Sequence, residues 1–353
     1  MRATGGIADG FRQIDYWRRW QGGLLDELGL GPVETPFRVL RDRPGLRLRA
    51  YGNGTGAGAP LLVVPAPIKR AYIWDLAPSV SVVRRCLAAG LRVYLTEWTE
   101  PAAGEAELGL EDYAGRLIPA ALDAVAAAGG GRRVLLAGHS LGGTLAAICA
   151  ALHPDRVRGL VLLEAPAKFG AAAGAFAPLL AAAPPAGALR AVLGDVPGSF
   201  LDLASVAAAP ASFLWARWFD RLASAGDAEA LSIHLRVERW TLDEFPLPGR
   251  LFEEVVEWLY REDRFMRGSL RLGGRIAAPE ALDMPLLSVV DPHSVIIPAA
   301  SILPFHRAVR SAEKRLFRYH GERGVALQHV GVLVGRNAHR RLWPQILRWM
   351  TQR

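Results

Sequence analysis

The stretch Leu135-Leu136-Ala137-Gly138-His139-Ser140-Leu141-Gly142-Gly143-Thr144 decides how the chain is read. Its first half is a short apolar run suited to a buried strand. Its second half opens an Ala-rich helix, "GTLAAICAALH". Between them, Gly138-His139-Ser140-Leu141-Gly142 satisfies G-x-S-x-G. A serine on so sharp a strand-to-helix turn is forced into a strained backbone, so the residues two before and two after it must be small. Its hydroxyl then stands free at the end of the strand, beside a helix N-terminus that favours developing negative charge. The pentapeptide alone is common. Flanked by "VLLA" and "GTLAAICA", it reads as a nucleophile turn with Ser140 at its apex.

Outward from this turn, strand and helix alternate. "FRVL" and "LRLRAY" predict a β-hairpin, and "GNGTGAGA" (Gly52–Ala59) a loop. The glycines of that loop precede a strand rather than a helix, so they do not form a phosphate cradle. "PLLVVP" (Pro60–Pro65), "LRVYLTEW" (Leu91–Trp98), "RVLLAG" (Arg133–Gly138) and "VRGLVLLEAP" (Val157–Pro166) read as strands. Helices are expected through "SVVRRCLAAG" and "LGLEDYAGRLIPAALDAVAAA", the second stopped by Gly129–Gly131. Short apolar strands separated by helices predict an α/β fold: a mostly parallel sheet covered on both faces. The alternation stops over residues 169–282, which are Ala/Pro-rich, then helical and aromatic. That segment reads as a helical cap insertion. The sheet resumes with "MPLLSVVD" (Met284–Asp291) and "KRLFRYH" (Lys314–His320). The expected organisation is a lead-in over 1–35, core over 36–168, cap over 169–282 and core again over 283–353.

Composition narrows the function. Half of the 353 residues are apolar, enough for a sizeable core, and 22% are charged. Net charge is +8, carried by 39 Arg and three Lys that are scattered rather than clustered. Nucleic-acid binding would want a basic stripe or a known module, and neither is present. No run of 18 apolar residues and no secretory leader is visible, so a cytoplasmic protein without a membrane span is expected. Cys86 and Cys149 fall in apolar helical patterns and read as buried small hydrophobes. No Cys/His cluster has metal spacing and no P-loop occurs, so no metal or cofactor is expected.

A serine hydroxyl needs a base. In an arrangement of this kind the histidine should follow the last strand. His329, in the loop "LQHVGVLVG" before the final helices, has the better reach; His320, at the strand end, is second. His139 reads as a neighbour that shapes the turn. An oxyanion needs backbone donors. The Leu141 amide is the first candidate, and the second should come from the loop after "LLVVP". Pro65 and Pro67 have no N–H, which leaves Ala66 or Ile68. Among the cap aromatics, Phe213, Trp215, Trp218, Phe219 and Trp240 suit either an acyl pocket or the cap's own core.

Taken together, "LLVVPAPIKRAYIWDLAPSVSVVRRCLAAGLRVYLTEWTEP", "GHSLGGTLAA", "ALHPDRVRGLVLLEAPAKF", "GRLFEEVVEWLYREDRFMRGSLRLGGR" and "QHVGVLVG" resemble polyhydroxyalkanoate synthases. The likeness covers about residues 36–351 and is nearest to the short catalytic subunit of two-component synthases. It implies an α/β-hydrolase fold and a covalent acyl-enzyme formed from a hydroxyacyl-CoA, with a homodimer or a partner subunit. It also favours Ile68 over Ala66. Two departures stand out. The family nucleophile is Cys in G-x-C-x-G-G; here it is Ser140. Exchange of a thioester onto Cys is nearly isoenergetic, whereas a Ser ester is a deeper well, so Ser suits transfer to water or an alcohol. The family acid falls at Ser294 in this chain. Asp291, three residues earlier, is the first alternative acid, Glu164 in "LLEAP" the second, and no acid the third.

The expectation is therefore a serine α/β-hydrolase acting on an ester or thioester of the hydroxyacyl or polyester class. Ser140, His329 and Asp291 or Glu164 form its catalytic set, and Leu141 and Ile68 its oxyanion hole. A polyhydroxyalkanoate synthase using hydroxyacyl-CoA is the second expectation. A weakly active or inactive binding module, kept open by Ser294, is the third.

Overall fold

The structure is a computed structural model and describes residues 5–52, 58–102 and 107–353. Most of the glycine-rich loop Gly52–Ala59 lies outside the described residues. Ten strands are described: β1 (Phe37–Arg43), β2 (Leu46–Tyr51), β3 (Pro60–Val64), β4 (Arg92–Trp98), β5 (Val134–His139), β6 (Val157–Leu163), β7 (Leu270–Leu272), β8 (Arg275–Ala277), β9 (Leu286–Val290) and β10 (Lys314–Arg318). Eight of them form one sheet in the order β1-β2-β4-β3-β5-β6-β9-β10. From β4 to β10 every pairing is parallel, while β1 and β2 join antiparallel at one edge. Strands β3, β5 and β9 are buried along their whole length, as strands covered by helices on both faces must be.

The helices are α1 (Gly5–Glu27), α2 (Val82–Ala88), α3 (Ile118–Val125), α4 (Ser140–Leu152), α5 (Phe176–Ala182), α6 (Ala186–Leu193), α7 (Gly198–Ala208), α8 (Ala216–Ser224), α9 (Ala228–Thr241), α10 (Gly249–Glu254), α11 (Ala299–Ala308), α12 (Gly331–Val334) and α13 (Trp343–Thr351). Ser81 caps α2 by accepting the Arg84 amide. Two apolar clusters flank the sheet. One joins α3 and α4 to Leu62, Leu136 and Leu160; the other joins α2, α12 and α13 to Leu61, Leu135 and Val161. This alternation of sides is the period-2 geometry of strands acting on continuous apolar runs.

Between β6 and β9 the chain forms α5 to α10 and leaves the main sheet. The helical insertion expected there also holds a hairpin, β7-β8. Gly273 (φ 53°) and Gly274 (φ 75°) make its two-residue turn, which needs positive φ at both positions. Within the lead-in, Gly5–Glu27 form a single long helix, α1, lying against α6, α7 and α9. Arg18 on α1 binds Asp202 and Glu244 of the insertion, each at 2.7 Å. Among the described residues no single helix is long and apolar enough to cross a membrane.

Candidate active site

Ser140 sits where β5 meets α4, with φ 53°, in the left-handed region that ordinary residues avoid. The glycines around it explain how the turn closes. A Cβ on Gly138 would come within 2.6 Å of the Gly143 backbone, and one on Gly142 within 2.3 Å of the Val64 carbonyl. Gly142 thus lets the first turn of α4 sit directly against the loop after β3. Trp98, at the end of β4, donates its indole N–H to the Pro65 carbonyl at 2.8 Å and fixes the same loop from the other side. Ile68 lies further along that loop and faces the cavity with Ser140 and Leu141. Leu141 is in the first turn of α4, where amides have no partner within the helix.

His329 comes from the loop between β10 and α12. Its Nδ1 is 3.2 Å from Glu164 Oε2, and its ring lines the cavity with Ser140. Glu164 is the residue after β6, fully buried, with φ 43°. Its amide donates to the Val289 carbonyl at 3.0 Å, locking the strand end to β9. Of the two expected carboxylates, the structure thus brings the second to the imidazole and not the first. Asp291, at the end of β9, turns Oδ1 back to accept the His293 amide at 2.8 Å. This short-range capture is the usual habit of an Asp in a turn, and it holds the carboxylate off His329. Asp291 still acts at a distance: its charge raises both Glu164 and His329. Ser294, at the family's acid position, accepts the Ile297 amide. His320 is exposed, its ring tilted against that of His293 with centroids 5.7 Å apart, and it does not line the cavity with Ser140.

Burial dominates the electrostatics. It pushes His329 down to about 4 against the pull of Asp291, so the imidazole is neutral at physiological pH and able to take a proton. Burial, then the Asp291 charge, drives Glu164 well above the usual carboxylate range. Its Oε1 has no partner. His139 does more than shape the turn. Its Nε2 lies 2.8 Å from the His329 carbonyl, and the two rings sit 4.5 Å apart. A carbonyl only accepts, so His139 donates there as a neutral imidazole; burial, then His329, keeps it well below the ordinary histidine range. Sequence reading had no signal for this support of the His329 backbone.

The cavity has a volume of about 540 Å³, within the ~300–1,000 Å³ typical of small-molecule sites. Its wall is mostly apolar and comes from the insertion: Phe176, Phe200, Phe213, Trp240, Phe252 and Tyr260. Of the five cap aromatics singled out by sequence, only Phe213 and Trp240 reach it. Trp215, Trp218 and Phe219 point to solvent, each more than half exposed. The Trp240 indole also donates to the Arg70 carbonyl, tying the cap to the loop after β3. No group of three or more His, Cys, Asp or Glu able to hold a metal occurs among the described residues.

A parallel sheet of this order, with a strained serine after its central strand and a histidine loop after its last, defines an α/β-hydrolase. A family model described as the alpha/beta hydrolase fold matches residues 74–225. The monoacylglycerol lipase of Paleococcus ferrophilus shares the fold at TM-score 0.55 and 16% identity, covering 83% of this chain and 94% of that one. So does the epoxide hydrolase of Bacillus megaterium, at 0.52 and 11%, covering 90% and 100%.

Within that superfamily the chain is polyhydroxyalkanoate synthase-like, homologous to poly(3-hydroxyalkanoate) polymerase subunits over most of its length. It is 31% identical to the PhaC subunit of Haloferax mediterranei, over 93% of this chain and 66% of that subunit. It is 25% identical to the PhaC subunit of Allochromatium vinosum, over 96% of each. The chain thus spans just under two thirds of the first relative and nearly all of the second. Fold and homology together indicate an enzyme of the α/β-hydrolase superfamily related to polyhydroxyalkanoate synthases.

Proposed function

We propose that the protein is a serine acyl-transfer enzyme that opens esters or thioesters of the hydroxyacyl class, with water as its main acceptor. The observation that carries this reading is Ser140, strained at the β5–α4 turn, in one cavity with a neutral His329 whose Nδ1 meets Glu164. In the forward step Ser140 Oγ bonds to the acyl carbon while its proton passes to His329 Nε2. The carbonyl oxygen, now negative, takes hydrogen bonds from the Leu141 and Ile68 amides. The tetrahedral intermediate expels the alcohol or thiol, which leaves with the proton from His329. Water then gives a proton to His329 and attacks the Ser140 ester, and the free acid departs as the proton returns to Ser140. Glu164 holds the imidazole with Nε2 toward the serine, and Asp291 tunes that pair through its charge. The apolar cap wall suits an acyl chain rather than a sugar or nucleotide.

A second reading is polymerisation, with the hydroxyl of a growing chain replacing water as acceptor. The homology to polymerase subunits supports it, and a subunit role implies a second copy or a partner chain. The two readings share every step up to the acyl-enzyme. Incubation with 3-hydroxybutyryl-CoA separates them. CoA release matched by free hydroxybutyrate supports hydrolysis, and CoA release with insoluble polyester supports synthesis. No CoA or alcohol released from any hydroxyacyl thioester or short ester would count against both.

A further inference from the structure

Outside the site, one buried polar cluster has no part in the chemistry above. Asp220 lies on α8, a helix whose other face exposes Trp218, Phe219 and Leu222. Its carboxylate turns inward and is 7% exposed. Oδ1 accepts the Gly324 amide and Oδ2 the Ala326 amide, each at 2.8 Å. Oδ2 also meets Nδ1 of His234, a fully buried side chain on α9, at 2.8 Å. The remaining His234 nitrogen has no hydrogen-bond partner and stands 3.7 Å from Glu238. All three bonds to Asp220 satisfy a buried acceptor, which is costly to leave unpaired.

The two amides belong to the loop that ends in His329. That loop is strained where Asp220 grips it. Ala326 has φ 56°, one of four non-glycine residues with positive φ among the described residues. Two of the others are Ser140 and Glu164. Gly324 has φ 81° and lies so close to α9 that a Cβ would come within 2.8 Å of Ala230. Such a backbone persists only where its surroundings over-determine it. Four residues after Ala326, Val330 and then α12 carry the chain back to the core. Arg336 adds an outer fastening to Asp227 and Glu229 at the start of α9.

We propose that Asp220, oriented by His234, is a positioning residue: it clamps the 324–326 turn to the cap and thereby sets where His329 presents its imidazole. This rests on the reading of His329 as the base of Ser140. Its consequence is that the cap is coupled to the chemistry as well as to substrate binding. Displacing α8 and α9 releases the base. The clamp is a charged one. Burial alone would raise Asp220, but the His234 bond and the two amides outweigh it and hold the carboxylate below its ordinary range.

The test uses the full chain with Asp220→Ala and Asp220→Asn, the latter keeping one carbonyl acceptor in the same volume. Three quantities are read: the rate of fluorophosphonate labelling of Ser140 per folded molecule, kcat and KM on a short ester, and amide exchange of the peptide covering 320–330. The clamp predicts faster exchange in that peptide with β5 unchanged. It also predicts a labelling rate and kcat down about 10²-fold in Asp220→Ala, as misplacements near 1 Å cost elsewhere, with a smaller loss in Asp220→Asn. KM should move far less than kcat. Faster loop exchange with wild-type labelling would overturn the proposal, leaving Asp220 as support for stability alone. Unchanged loop exchange would overturn it too. If the wild type itself does not label while the loop exchange responds, the reading of Ser140 has failed and the clamp holds a loop without a base.

Discussion

Strands β3, β5 and β9 bury every residue, whereas the cap helices leave Leu203, Trp215, Trp218, Phe219 and Leu222 more than half exposed. The sheet gains its position from backbone ladders between neighbours and from two apolar layers. The cap gains its position from side chains: Arg18 with Asp202 and Glu244, Lys69 with Glu244, and Asp220 with the 324–326 turn. The proposed reactive groups Ser140, Glu164 and His329 belong to strand ends or to loops beside them. The apolar wall belongs to the cap. The sheet edge holds the candidate chemistry and the roof shapes the substrate, and the two meet where Asp220 of the roof grips the 324–326 turn.

If that division holds, mutations on the sheet edge should remove turnover, while mutations on the roof away from Asp220 should change substrate choice. The largest effect is expected from Ser140→Ala or His329→Ala, about 10⁴-fold or more in kcat on any substrate turned over, with the double variant little worse. Next comes the contest between the two carboxylates. Glu164→Gln should cost about 10²- to 10⁴-fold, because the imidazole loses its partner. Asp291→Asn should cost under about tenfold, since only its distant charge is lost. The reverse order, read from kcat/KM, would restore Asp291 as the acid. Protonating His329 removes the base, and its ordinary value is pushed down to about 4, so activity should hold as pH falls through 6 and drop only near 4. A limb near 6.5 in the pH profile of kcat/KM would show the imidazole more solvated than its burial implies. On the roof, Phe213→Ala should raise KM for long acyl chains several-fold with little change for short ones. Trp218→Ala, on the solvent side, should stay within about 0.5 kcal/mol of wild-type stability by denaturant titration.

The sheet was legible because its signals are local. A run such as "RVLLAG" followed by G-H-S-L-G needs only neighbours to be read, and strand, turn and helix follow at the expected places. Which carboxylate lies beside His329 was not fully legible. Choosing Glu164 over Asp291 depends on the Glu164 amide locking to Val289 and on Asp291 Oδ1 closing onto the His293 amide. The second of these had a signal, since Asp-Pro-His is turn-forming chemistry that competes for the carboxylate. In the cap, the Gly273-Gly274 pair between alternating residues marks a hairpin within a segment read as helical. The inward turn of Asp220, and with it the meeting with His234 and the Gly324 amide, had no such mark. Those contacts join residues 104 and 14 positions apart and are set by packing alone.

The most direct test of the account is intact mass after incubation with a fluorophosphonate, wild type beside Ser140→Ala and His329→Ala. The account predicts one adduct on the wild type, none on Ser140→Ala, and a strongly slowed adduct on His329→Ala. An adduct that persists in Ser140→Ala, or a wild type that stays unmodified while short esters are still cleaved, would contradict it.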